Sequence, residues 1–205
     1  MPSLADLKTE LQAASQLKEP AERAVVIASI VAEALRRVGQ DPILVGGAAV
    51  EFYTQGDYTT ADIDMVSPGG PDLWKVMDQL SFKRVGKDFI NEALKIYIEF
   101  PGSRLGPTEM ANQITLGTRK LRIISMEDLI VDRLCAYKFW KSATDGMAAL
   151  MLLEQSEVDE GRVGNRAREE DVEDALQTVQ QIREEVIRKK LPLKKANRMI
   201  EAKIK

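Results

Sequence analysis

Asp62-Ile63-Asp64 lies inside the apolar stretch Ala61–Val66. On a strand, residues i and i+2 share a face, with Cα atoms about 6.6 Å apart. Ile63 then points the other way, into a core. Two carboxylates on one face repel unless a cation lies between them, and a hard divalent ion is the natural cation. With 32 acidic residues in 205, acid-x-acid spacings arise by chance roughly five times, mostly on solvated helices. This pair differs in having apolar neighbours. A third acid lies in Ile96-Tyr97-Ile98-Glu99-Phe100. Alternation places Ile96, Ile98 and Phe100 on a core face and Glu99 with Tyr97 on the opposite one. Neighbouring strands run about 4.8 Å apart, so Glu99 can complete the cluster. An edge-strand acid facing water fits the same pattern equally well. Three carboxylates around two ions, Mg or Mn, form the two-metal arrangement of phosphoryl and nucleotidyl transfer.

Gly46-Gly47 ends the apolar run Ile43-Leu44-Val45. A glycine pair lets the chain turn sharply into a helix whose first N–H groups and dipole favour an anion such as phosphate. Taken alone, the pair is more often only a turn. Composition narrows the chemistry. The chain has no histidine and one cysteine, Cys135. That removes serine–histidine triads and most zinc chemistry, and leaves oxygen ligands for any metal. A net charge of −3 gives no long-range attraction for nucleic acid. The N-terminus MPSLADLKTE has neither the basic start nor the apolar core of a signal peptide. No apolar run reaches the roughly 18 residues of a membrane span. The single cysteine fits a reducing, cytoplasmic setting.

These residues need elements to position them. The pattern predicts helices over 3–17, capped by Ser3, and from Pro20 to a stop at Gly39. A short strand 43–45, a short helix 48–54 and a strand 61–66 follow. Next come a helix from Pro71, short strands near 82–85 and 89–90, and the alternating strand 94–100. Two further strands, 113–116 and 120–124, precede a helix opened by Ser125 and Asp128 in capping-box spacing. Another helix reaches Leu153, the polar stretch 154–168 reads as a linker, and two helices close the chain. The fold class expected is therefore α/β (α+β), a small mixed sheet with flanking helices and a C-terminal helical extension. The expected divisions are 1–39 (N-terminal helices packed on the core), 40–124 (the palm-like core) and 125–205 (helical).

Gly46-Gly47, a short helix, and then Thr60-x-Asp62-Ile63-Asp64 resemble the nucleotidyltransferase superfamily related to DNA polymerase β. The resemblance is closest to small prokaryotic members, the minimal nucleotidyltransferases and the toxin-like enzymes of abortive-infection systems. ISMEDLIVDRLCAYKFW resembles the helix such proteins carry after the sheet. Arg133 stands where many relatives have lysine, and Lys141 with Asp145 resembles a following basic-x-x-x-acid element. The resemblance spans about residues 40–153.

It implies that Gly46, Gly47, Thr60, Arg133 and Lys141 bind a nucleoside triphosphate. Asp62, Asp64 and Glu99 would hold two Mg (or Mn) ions and carry catalysis. The reaction implied is transfer of a nucleoside monophosphate to a hydroxyl on a protein, a tRNA or a small molecule, with release of pyrophosphate. Two departures stand out: Tyr58 occupies a position where relatives often have arginine, and Ala48 follows a second glycine where serine is common. They favour an alternative reading, a non-catalytic module of this fold in a toxin–antitoxin-type system. The basic end KKLPLKKANRMIEAKIK reads as a solvated helix or a contact for RNA or a protein partner. The apolar helices at both ends offer surfaces for a homo-oligomer.

Overall fold

The computed structural model describes residues 2–204. They form two compact units, one ending at Ser125 and the other beginning at Met126. The first unit contains α1 (Leu4–Ala14), α2 (Pro20–Arg36), β1 (Ile43–Val45), α3 (Gly46–Tyr53), β2 (Ile63–Val66) and α4 (Pro71–Gln79). It continues with β3 (Lys83–Val85), β4 (Asp88–Asn91), β5 (Ile96–Glu99), β6 (Ala111–Leu116) and β7 (Arg119–Ile124). The strands make one mixed sheet in the order β3-β4-β5-β2-β1-β7-β6. β2 runs parallel to β5 and β1 parallel to β7; the other pairs are antiparallel.

Strand pleating sorts the side chains onto two faces. One face carries Leu44, Ile63, Met65, Phe89, Ile96, Ile98, Leu121 and Ile123, none more than 5% exposed. α2 packs across β7, β1 and β2. Its buried stripe includes Ile27, Ile30 and Val31, so the two apolar surfaces close on each other. Each such side chain contributes about 1.5–3 kcal/mol on burial. α1 packs on α2. Its start is fixed by Ser3, whose hydroxyl accepts the Asp6 N–H at 3.1 Å while the Asp6 carboxylate accepts the Ser3 N–H at 2.7 Å. Arg119 on β7 ties both helices to the sheet through Glu10 and, at 2.6 Å, Glu33. The opposite sheet face carries the acids of interest.

Several local boundaries differ from the pattern. α3 starts at Gly46 rather than Ala48. β2 starts at Ile63, because β1 ends opposite Asp64 (Val45↔Asp64) and offers no further ladder partner. Asp62 therefore precedes the ladder. The expected linker 154–168 is largely helix, α7 (Glu160–Glu169).

The second unit holds α5 (Met126–Phe139), α6 (Ala143–Leu153), α7, α8 (Glu173–Lys189) and α9 (Leu193–Glu201). The α8 stripe of Ala175, Leu176, Val179, Ile182 and Val186 is buried. α7 has little apolar surface, with Val163 and Ala167 buried, and is anchored by charge. The Asp128 carboxylate on α5 is fully buried and pairs with Arg166 at 3.0 Å and Arg162 at 2.5 Å, one turn apart on α7. Cys135 is half-buried in α5. Among the described residues no helix is long and apolar enough to cross a membrane.

Candidate functional site

The glycine pair and the acid segment fit together without room for a side chain. Gly46 has φ of 62°, and a Cβ there would lie 2.8 Å from the Asp64 Cβ. A Cβ on Gly47 would lie 2.8 Å from the Thr60 hydroxyl. Both positions thus require glycine, and α3 opens beside Asp64 and Thr60 with no side-chain cap on its N-terminus. This is the geometry of an anion cradle next to carboxylates. Gly46→Ala should force the left-handed backbone and displace Asp64. The expected cost is about 1–3 kcal/mol, measured by urea denaturation.

The sheet register brings acids together on the open face. Asp64 pairs with Glu99 across β2 and β5, and Glu99 pairs with Asp88 across β5 and β4. Paired residues share a face, so Asp64, Glu99 and Asp88 form one row across three strands. Asp62 is exposed just before the ladder. With Asp88, Ile90, Tyr97, Ile98 and Glu99 it lines a hollow of about 100 Å³. Glu99 is bonded to Lys87, which sits in the turn between β3 and β4. Among the described residues no three Asp, Glu or Cys side chains gather around one point as a metal ion requires. The Asp88 Oδ1 is buried with no hydrogen-bond partner. The donor set is all oxygen, it contains an orphaned carboxylate oxygen, and an ammonium group already lies against it. The all-oxygen chemistry suits a hard divalent cation, but the carboxylates stand in a row and do not converge on one point.

Thr60 and Asp62 also border a larger cleft of about 430 Å³, together with Arg23, Glu51 and Tyr97. Glu51 is 1% exposed, and its Oε1 has no partner. Burial pushes its carboxyl above the usual glutamate range, against a backbone hydrogen bond from Thr60 and the charge of Arg23. A raised folded-state value means that the native chain holds this proton more tightly than the unfolded chain. Glu51 therefore removes stability as pH rises above the ordinary glutamate range. Glu51→Gln is expected to raise the melting temperature at pH 7 and flatten the fall that begins as pH rises above the ordinary glutamate range, read by thermal unfolding across pH.

The other expected ligands lie in the second unit. Arg133 on α5 donates to Asp145 at 2.7 Å and also contacts Asp132. Lys141 is exposed, with φ of 58°, just before Ser142, whose hydroxyl accepts the Asp145 N–H. Tyr58, the departure from the arginine pattern, is half-buried, and its N–H donates to the Thr54 hydroxyl. Tyr53 donates its hydroxyl to the Ile124 carbonyl at 2.8 Å, which fastens α3 to β7. Sequence reasoning missed Lys87 and Asp88. The signal was the Gly86-Lys87 pair, a two-residue turn with φ of 66° at Gly86, which makes Asp88 the first residue of β4.

No protein-family model matches the chain, and no curated protein does. Two solved structures share its fold. One is the solution structure of the antibiotic-resistance factor ANT(2'')-Ia, with a TM-score of 0.50 and 14% identity over 77% of this chain and 92% of that one. The other is an antigenic nucleotidyltransferase-like protein from Paracoccidioides brasiliensis, with a TM-score of 0.50 and 14% identity over 82% and 93%. The fold is nucleotidyltransferase-like.

Proposed function

We propose that this protein is a metal-dependent nucleotidyltransferase. It transfers a nucleoside monophosphate from a nucleoside triphosphate to a hydroxyl acceptor and releases pyrophosphate. The observation that carries this reading is the contact of the glycine cradle with the acid segment. Gly46 abuts Asp64 and Gly47 abuts Thr60, so bound phosphates and carboxylates would be neighbours. The two structural neighbours support it through their fold.

In this reading the backbone N–H groups at the start of α3 bind triphosphate oxygens, and Thr60 borders the same cradle. Asp62, Asp64 and Glu99 would hold Mg or Mn. When bound, such ions lower the pKa of a hydroxyl and offset charge on the transferring phosphate. The acceptor oxygen would give its proton to solvent and bond to the α-phosphorus, while the bond from that phosphorus to the pyrophosphate oxygen breaks and pyrophosphate leaves. Arg133 and Lys141 are assigned phosphate contacts by resemblance alone. The acceptor is a hydroxyl on a protein, a tRNA or a small molecule.

Thermal unfolding tests the binding half of this reading. Mg or Mn with one nucleoside triphosphate should raise the melting temperature by several degrees. Ligand at 100 times its Kd adds about 2.7 kcal/mol, and 1 kcal/mol shifts a chain of this size by about 2–4 °C. Absence of any shift with all four triphosphates and either metal would rule the reading out. A second reading, a non-catalytic module of this fold in a toxin–antitoxin-type system, draws on Tyr58 standing where arginine is common. It requires binding with no transfer.

A further inference from the structure

The cleft of about 430 Å³ lies within the first unit, at the end of the sheet where β2 begins. Its walls come from the start of α2, from α3, from the segment leading into β2 and from the turn between β4 and β5. Pockets for small molecules run about 300–1,000 Å³, so the cleft has room for one. Its position ties it to the proposed reaction. Thr60, which closes on Gly47 at the cradle, borders it. Asp62 and Tyr97 line both this cleft and the hollow that includes Glu99. The walls also select the kind of molecule. Four charged residues line the cleft, Arg23 and Lys95 against Glu51 and Asp62, so their charges balance. Balanced charge gives no net attraction for an RNA end or a strongly cationic molecule. What remains is hydrogen bonding. Glu51 is 1% exposed, and its Oε1 lacks the donor that a buried carboxylate oxygen needs. Arg23 makes one long hydrogen bond, 3.5 Å to the Leu17 carbonyl, which leaves most of its N–H donors for a ligand. Tyr97 is 42% exposed, and its ring adds an apolar surface. A hydroxyl group donates, as Glu51 requires, and accepts, as Arg23 requires. A compact molecule with several hydroxyls meets both at once. A lone serine or tyrosine hydroxyl on a protein meets only one.

We propose that this cleft is the acceptor subsite, and that the acceptor is a small uncharged molecule with several hydroxyl groups. The proposal rests on the nucleotidyl-transfer reading above and narrows its acceptor to one class. One hydroxyl oxygen bonds to the α-phosphorus, its proton passes to solvent, and pyrophosphate leaves. The other hydroxyls hold the molecule, donating to Glu51 and accepting from Arg23.

The test is transfer of label from α-phosphate-labelled nucleoside triphosphates, with Mg or Mn, to separated acceptors. Cell extract is divided by ultrafiltration into macromolecules and a filtrate. The filtrate is passed over cation- and anion-exchange resins, and the unretained material is the neutral fraction. That fraction should accept label. Glu51→Gln and Arg23→Met should each raise the amount of neutral fraction needed for half the maximal rate about tenfold, on the order of one charged hydrogen bond. The KM for the triphosphate should stay unchanged, because only the acceptor contact is altered. Circular dichroism checks that both variants fold. Label only in protein, RNA or a resin-retained fraction would overturn the proposal and leave the transfer reading intact. Unchanged acceptor dependence in either folded variant would do the same. Absence of label in every fraction would overturn both.

Discussion

Asp64→Asn is expected to reduce nucleotidyl transfer by at least about a thousandfold and to abolish the melting-temperature rise produced by metal with triphosphate. A thousandfold loss corresponds to about 4 kcal/mol of barrier, within the several kcal/mol a metal ion supplies to transition-state charge. Asp64 joins the glycine cradle to the acid row. It faces Gly46 at the cradle, pairs in register with Glu99, and lies two residues from Asp62. Asparagine keeps the shape and removes the charge. The protein without metal should therefore unfold at the same temperature as the wild type or slightly higher, since one repulsive charge is gone. Retention of the ligand-dependent shift in Asp64→Asn would show that the acids do not hold the metal.

Asp128→Ala is expected to destabilise the second unit by about 3–5 kcal/mol. The carboxylate is fully buried and serves Arg166 and Arg162 together, with Arg166 itself only 6% exposed. Removing Asp128 takes the buried acceptor from the Arg166 Nε and from Arg162, while Arg166 keeps only the more exposed Glu169 and Glu170 and Arg162 keeps Glu127. Urea denaturation gives the total loss, and hydrogen exchange should show α7 amides losing protection first. Replacing the network with packed apolar groups, as in Asp128→Leu with Arg166→Met, should cost far less than the single change. Equal losses in the two variants would mean that the network does not explain how α7 is held.

The parts of this fold legible in the sequence are those with local signals. The β1 strand, the glycine turn, the α3 helix and the β2 strand follow one another within Ile43–Val66, and each carries its own periodicity or breaker. The face assignment of Glu99 was equally local, because Ile96 and Ile98 alternate with it and are buried. What was not legible depends on strand order and register. β2 and β5 are parallel neighbours although α4, β3 and β4 lie between them in the chain. The row that unites Asp64, Glu99 and Asp88 exists only once that order is known. Lys87 enters the row because a two-residue turn sets the offset of β4.

α7 failed for a different reason. Its ten residues hold two glycines and only Val163 and Ala167 as a buried apolar pair, too short a period to read as a helix. Its partner is an acid 38 residues away, the separation of Asp128 and Arg166. Glu51 was visible as an acid in the apolar segment Ala48-Ala49-Val50-Glu51-Phe52. Only the structure shows that one of its oxygens is buried without a partner beside a cleft.

The most direct measurement of the central claim is label transfer. The purified chain is incubated with Mg or Mn, each α-phosphate-labelled nucleoside triphosphate in turn, and cell extract as a source of acceptors. Products are then separated into protein, RNA and small-molecule fractions. The account predicts label in one of these fractions, with release of unlabelled pyrophosphate, and loss of that label with Asp64→Asn. Binding of metal and triphosphate without transfer of label from any of the four would contradict it.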